Sequence, residues 1–280
     1  MTNERSVAMV KLAANISWLW ASSSTELGLR SARTKGFKFV ESLAPYTEPA
    51  ESWKRWLEDF QLNLVLINTP SGSSSDLPVR GLAAFPGRED EFKKVFEHAL
   101  DYSNRLGVPR IHVTAGPTLN TEFGVSQQSC YEKNLYWACG LAESNNTTLT
   151  IEPLSPRDSP GAFMADLGHA LRTIEAVNHP CLKLQFDLYH QQILHGDIVQ
   201  NLRRTFNVIG HIQVAGVPNR DEPCNGELNF ERVVTELESL HYEGFIGCEY
   251  RPETSAEEGL DRWASKYLQP TLETGTNAGY

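Results

Sequence analysis

Eight short runs of apolar and β-branched residues recur along the chain: VKLAANIS, FKFVES, LNLVLINTP, RIHVTAG, TLTIEP, LKLQFDLYH, IGHIQVAG and FIGCEYRP. Each has the length of a strand, and the stretches between them carry apolar residues at helical spacing. In EDEFKKVFEHALDYSNRLG these are Phe92, Val95, Phe96, Ala99, Leu100 and Tyr102; in FERVVTELESLHYEG they are Val233, Val234, Leu237 and Leu240. Gly107 and Pro109 are stop signals after the first helix, and Gly244 after the second. Strands alternating with helices imply parallel pairing through right-handed crossovers. Eight such units predict an α/β fold, a single (β/α)8 TIM barrel over residues 1–270, with 271–280 as a flexible C-terminal tail. A doubly wound dinucleotide-binding sheet is disfavoured, because VKLAANISWLW lacks the glycine-rich turn that such a sheet places after its first strand.

Side chains alternate across a strand, so each run can be split into two faces. Leu149 and Ile151 oppose Thr148, Thr150 and Glu152; Leu182, Leu184 and Phe186 oppose Lys183, Gln185 and Asp187. His211 and Gln213 oppose Ile212 and Val214, and Arg110, His112 and Thr114 oppose Ile111 and Val113. One face suits a coat of helices and the other is polar, as expected of a barrel whose inner positions lead up to a C-terminal mouth. A slip of one residue would exchange the faces.

This register puts Glu152, Asp187, Gln213 and Glu249 at the C-terminal ends of the last four strands. An acid at one strand end is more often a helix cap or an ion-pair partner, but four oxygen donors converging on one rim call for a different account. Carboxylates this close repel unless protonated or shared by a cation, and a hard divalent ion such as Mg²⁺ or Mn²⁺ is the natural neutralising partner. Glu152 and Glu249 are the candidate acid/base pair. His190 is a candidate donor to a substrate carbonyl or hydroxyl, and Arg220 a two-pronged donor to a carboxylate. Glu227, Asn68, His112 and Asn15 are further candidates for the pocket, with Trp18, Trp20 and Phe85 as its apolar wall. The long irregular stretch SGSSSDLPVRGLAAFPGRE after the third strand reads as a lid.

Composition changes the picture mainly by exclusion. A formal net charge of −10 and the absence of any basic run argue against nucleic-acid binding. Five cysteines without a CxxC pair read as reduced thiols of a cytoplasmic protein, and the N-terminus lacks the apolar core of a signal peptide or membrane span. Neither the nucleophile elbow GxSxG nor the phosphate loop GxxxxGK[ST] occurs. Homo-oligomerisation is left open.

The blocks AANISWLW, LVLINTPSG, RIHVTAG, IEPLS, QFDLYHQQ, GHIQVAGVPNRDEP, GELNF and GFIGCEYRP, in this order, resemble those of hydroxypyruvate isomerases within the xylose isomerase-like barrel superfamily. The resemblance implies interconversion of hydroxypyruvate, a small hydroxy-oxo acid, with 2-hydroxy-3-oxopropanoate (tartronate semialdehyde). It makes Glu152 and Glu249 the proton-transfer pair, completes a divalent-metal site with Asp187 and Gln213, and places His190 and Arg220 against substrate. Related epimerases have histidine where this chain has Gln213, and FKFVESLAPY matches less well. A 2-oxo-tetronate isomerase or ketose 3-epimerase is the alternative within the superfamily, and a metal-dependent abasic-site endonuclease the distant one.

Overall fold

A computed structural model of the chain describes residues 10–72, 80–119 and 124–268. The expected tail at 271–280 and the segment 73–79 of the expected lid lie outside the described residues. Eight parallel strands close into a barrel in chain order: β1 (Lys11–Asn15), β2 (Phe39–Ser42), β3 (Asn63–Asn68), β4 (Arg110–His112), β5 (Thr148–Ile151), β6 (Leu182–Asp187), β7 (Ile209–Val214) and β8 (Phe245–Cys248). β8 pairs back onto β1, Lys11 opposite Phe245 and Ala14 opposite Cys248. The helices are α1 (Ile16–Leu19), α2 (Thr25–Thr34), α3 (Ala50–Asp59), α4 (Glu89–Leu106), α5 (Gly124–Glu143), α6 (Leu167–Val177), α7 (Leu188–Leu194), α8 (Ile198–Thr205), α9 (Phe230–Ser239) and α10 (Ala256–Trp263).

The apolar strand faces form the core with the helices. Leu149, Ile151, Leu184, Phe186, Ile212 and Val214 are fully buried there with Trp53, Phe92 and Phe96, each such side chain contributing about 1.5–3 kcal/mol relative to exposure. Short polar side chains start several helices: Ser24, Asp166, Asn229 and Ser255 each accept a backbone N–H of the first turn. Gly107 ends α4 in the left-handed conformation its position predicts. At the end of α9 His241, with φ 56°, makes the corresponding turn, and Gly244 lies beyond it. Two runs that read as single strands divide: the chain turns into α1 directly after Asn15 and into α7 directly after Asp187, whose side chain caps that helix.

The barrel interior is layered. At its base the Phe39 and Phe245 rings meet with centroids 4.6 Å apart, and the Arg110 guanidinium lies 5.0 Å above Phe245. The β6–β7 register shifts where Gln185 pairs with His211, leaving Gly210 as an extra residue whose carbonyl accepts Arg110 Nε at 2.8 Å. A second shift, between Val40 and Glu41 on the β2–β3 edge, adjoins a buried acid one layer below the rim. The described part of the expected lid is pinned to the barrel: Gly81 bridges Ala115, Ala84 N donates to Ala115 O at 2.8 Å, and Leu82, Ala83 and Ala84 are buried.

Candidate active site

The inner face of β5–β8 opens into a cavity of about 860 Å³ lined by Trp18, Asn68, His112, Glu152, His190 and Arg220, with Glu249 at its edge, within the usual range for small-molecule sites. Strand parity carries the acids there. Gln185, in the middle of β6, accepts Thr150 Oγ1 at 2.9 Å and donates to Glu152 Oε2 at 3.0 Å and to Gln213 Oε1 at 2.7 Å. Gln213 Nε2 then donates to Glu249 Oε2 at 2.5 Å and Glu41 Oε2 at 3.0 Å. The two candidate acid/base residues are thus joined below the cavity by a chain of amides. Their surroundings differ. Glu249 accepts Arg220 Nη2 at 2.7 Å and Asn15 Nδ2 at 3.3 Å as well, whereas Glu152 Oε1 is buried with no hydrogen-bond partner among the described residues.

Arg220 reaches this layer from the loop after β7. Its φ of 59° is left-handed, uncommon outside glycine, and is held by Arg220 N to Gly216 O at 2.8 Å and Arg251 N to Arg220 O at 2.8 Å. The guanidinium packs over Trp18 at 4.4 Å and Tyr189 at 5.0 Å and also faces Asp187 at 3.4 Å. Burial opposes its charge, but Glu249, Asp187 and Glu152 outweigh this and raise its pKa.

Burial, with Asp187 and Glu249 close by, pushes the Glu152 carboxyl far above the ordinary carboxylate range. Burial also raises Glu249, to about 8, against the opposing pull of Arg220. Asp187 is raised by burial too, although Arg220 and the Tyr189 and His190 backbone N–H groups favour its charged form. Burial drives both His112 and His190 down to about 3, so both rings are neutral near pH 7. Ser155 N donates to His190 Nδ1 at 3.1 Å, so the neutral ring carries its proton on Nε2, which faces Asp187 at 3.7 Å and Glu152 at 3.9 Å.

Glu152, Asp187, Gln213, Glu249, His190, Arg220, Asn68 and His112 are therefore brought to one cavity or its floor. Three expectations are corrected. Glu227 is exposed on the outer side of the loop before α9, bonded to Gln192 at 3.3 Å, and lines a different depression beside α10. Trp20 turns outward, its Nε1 donating to Glu257 at 2.8 Å, and Phe85 packs under Arg88. Asp187 combines both readings of a strand-end acid: Oδ1 caps α7 through Tyr189 N at 2.8 Å while Oδ2 faces Arg220. Sequence reasoning missed Glu41, Asp158 and Arg251. Asp158 and Arg251 line the cavity from loops that carry no periodic signal, but alternation with Val40 assigns Glu41 to the inner face.

The donor set fits a hard divalent ion. Carboxylate oxygens of Glu152 and Asp187 lie within 4.8 Å of one another and Glu152 Oε1 is unpartnered, while His190 beside them turns its protonated Nε2 to them as a donor. Gln213 turns its amide oxygen to Gln185. A second cluster, Cys139, His179 and Cys181, is already satisfied internally: Cys139 bonds to the Cys181 sulfur, whose thiol donates to Thr147 O at 2.9 Å, and Cys181 N donates to His179 Nδ1 at 3.2 Å.

Fold and site define a TIM barrel with two buried glutamates at its C-terminal rim. The family model for xylose isomerase-like TIM barrels matches residues 29–267, and the chain belongs to that family. A zebrafish (Danio rerio) protein named putative hydroxypyruvate isomerase is 39% identical over 274 residues, covering 93% of this chain and 96% of the relative. A 2-oxo-tetronate isomerase of Cupriavidus necator is also 39% identical, over 93% of this chain and 99% of its own. The hydroxypyruvate isomerase of Escherichia coli is 33% identical over 92% and 100%. Among solved structures, one described as an AP endonuclease, family 2, from Brucella melitensis superposes with a TM-score of 0.89 at 34% identity, covering 93% of this chain and 100% of that one.

Proposed function

We propose that the protein is an isomerase interconverting hydroxypyruvate and 2-hydroxy-3-oxopropanoate by proton transfer between Glu152 and Glu249. The observation that carries this reading is the asymmetry of two buried carboxyls at one rim. Burial raises both carboxyls, but Glu249 is held by three donors, one of them the opposing Arg220 guanidinium, while Glu152 keeps an unpartnered oxygen. Glu249 is then the base that removes a proton from the hydroxymethyl carbon, and Glu152 the acid that delivers one to the adjacent carbon. The hydroxyl proton passes to the former carbonyl oxygen, which balances the exchange and leaves the glutamates set for the reverse reaction.

The neutral His190 donates from Nε2 to the developing enediolate oxygen, and Arg220 holds the substrate carboxylate while stacked on Trp18. A divalent ion, Mg²⁺ or Mn²⁺, would be held by Glu152, Asp187 and Glu249 with Gln213 alongside, and when bound supplies charge stabilisation to the intermediate. All five cysteines are free thiols, which supports a reducing, cytoplasmic setting. No helix among the described residues is long and apolar enough to cross a membrane.

The Cupriavidus relative favours 2-oxo-tetronate as a second reading, since its identity equals that of the zebrafish protein. Hydroxypyruvate, 2-oxo-tetronate and ketoses assayed with and without chelator separate the readings, with solvent deuterium tracking the C–H exchange. Incorporation at the hydroxymethyl carbon of hydroxypyruvate is expected. Absence of turnover and exchange with every substrate in the panel overturns the isomerase reading.

A further inference from the structure

One layer below the rim, Glu41 is fully buried inside the barrel, and among the described residues none of its hydrogen bonds comes from a lysine or arginine. Its Oε1 pairs with His211 Nε2 at 2.5 Å, and its Oε2 accepts Asn15 Nδ2 at 3.3 Å and Gln213 Nε2 at 3.0 Å. The same two amide nitrogens donate to Glu249 Oε2, at 3.3 Å from Asn15 and 2.5 Å from Gln213. Two carboxylates therefore share two bridging NH₂ groups. This decides how both amides face, because a carboxylate only accepts and a reversed amide would set oxygen against oxygen. The barrel wall makes room for the arrangement: a Cβ at Gly247 would meet Glu41 Oε1 at 2.1 Å. A buried acid kept in place at the expense of a strand side chain is a costly feature unless it serves the layer above it.

We propose that Glu41 is a positioning residue for the reaction: with His211 behind it, it fixes the Asn15 and Gln213 amides so that Glu249 meets substrate in one orientation. This rests on the reading of Glu249 as a proton-transfer group. Glutamate suits the position because it offers acceptors to three donors at once. Glutamine keeps the volume and an oxygen for the two amides, but it removes the negative charge that holds them and can face His211 only if the ring moves its proton to the buried, unpartnered Nδ1.

The test is steady-state isomerisation by Glu41→Gln, with thermal unfolding and C–H exchange into solvent deuterium measured on the same samples. The expected result is a fall of about 10- to 100-fold in both kcat and exchange, the range seen when an orienting partner behind a reacting group is removed. KM is expected to stay within about threefold, since Glu41 does not line the cavity. Asn15→Ser, which removes one bridge, is expected to lose less kcat with the same unchanged KM, and it decides the matter if Glu41→Gln does not fold. A folded Glu41→Gln with kcat near that of the parent, or a loss confined to KM, overturns the proposal. Glu249→Gln separates the two levels: if it is active, the reading of Glu249 fails, and if it is dead while Glu41→Gln is active, only the positioning role fails.

Discussion

The individual side chains make a prediction about pH. Glu249 has an ordinary value of 4.5 and is raised to about 8, so the folded protein binds this proton more tightly than the unfolded chain. The resulting stability is complete below 4.5 and is lost as pH rises through about 8. His112 and His190 act in the opposite sense: each is depressed from 6.5 to about 3, so their contribution is present above 6.5 and lost as pH falls below it. Between pH 6.5 and 8 these two histidines are silent, and the slope belongs to the raised rim carboxyls, Glu249 together with Glu152 and Asp187. With chelator present, the melting temperature is expected to fall as pH rises across that window, Glu249 contributing no more than about 1.4 kcal/mol of stability per pH unit as one proton. Glu249→Gln is expected to reduce the slope; an equal slope in the variant assigns it to the other rim carboxyls. A related prediction concerns Glu152→Gln, which removes the donated proton but keeps the hydrogen bond from Gln185. Turnover is expected to fall by at least about 10²-fold with the fold intact, and near-normal turnover refutes the role.

Alternation made much of the site legible at the scale of the strand. Applied to β5, β6 and β7 it assigned Glu152, Asp187 and Gln213 to one rim, because an apolar outer residue flanks each of them, and Glu249 joined them from its place at the end of the eighth run. The same rule assigns Glu41 inward, yet FKFVES gives no reason to prefer an interior acid over a solvated one. Its partner His211 is 170 residues away, and only closure of the barrel brings them together. Arg220 was legible as a donor but not in its reach, which depends on a left-handed residue inside an irregular loop. Glu227 misled because proximity in sequence to a strand end says nothing about which side of the loop a residue takes. Register shifts are equally hidden, and the one at Gly210 can be tested: a Cβ there would lie 2.5 Å from Lys183 Cβ. Gly210→Ala is expected to cost about 1–3 kcal/mol in denaturant unfolding, as overpacking does. Because the clash lies near the barrel base, KM is expected to hold; a cost below about 0.5 kcal/mol shows that the β6–β7 edge yields easily.

For the molecule as a whole the deciding property is charge. The Brucella structure that superposes so closely is described as an AP endonuclease, and a barrel rim of carboxylates is compatible with hydrolysis at a metal centre. Binding a DNA duplex is a separate requirement, met by lysine and arginine arrayed along the phosphates. This chain carries a net charge of −10 with no basic run, and Arg220 is turned inward, stacked on Trp18 and paired with Glu249. A duplex approaching the mouth would meet a negative protein that offers one buried guanidinium in place of a basic surface along the phosphates. A small carboxylic acid needs only that one guanidinium and a few donors, and it fits within the cavity. At about 0.15 M salt, where charge interactions beyond roughly 8 Å are screened, an abasic-site duplex is expected neither to shift in a binding assay nor to be cut with Mg²⁺, Mn²⁺ or Zn²⁺ present. The same preparation is expected to isomerise hydroxypyruvate. Cleavage that disappears in Glu152→Gln, with no isomerisation by the parent, would assign the rim to phosphodiester hydrolysis instead. Isomerisation without cleavage leaves the paired glutamates acting on the adjacent carbons of a small acid, the chemistry for which one buried guanidinium and an acidic surface are sufficient.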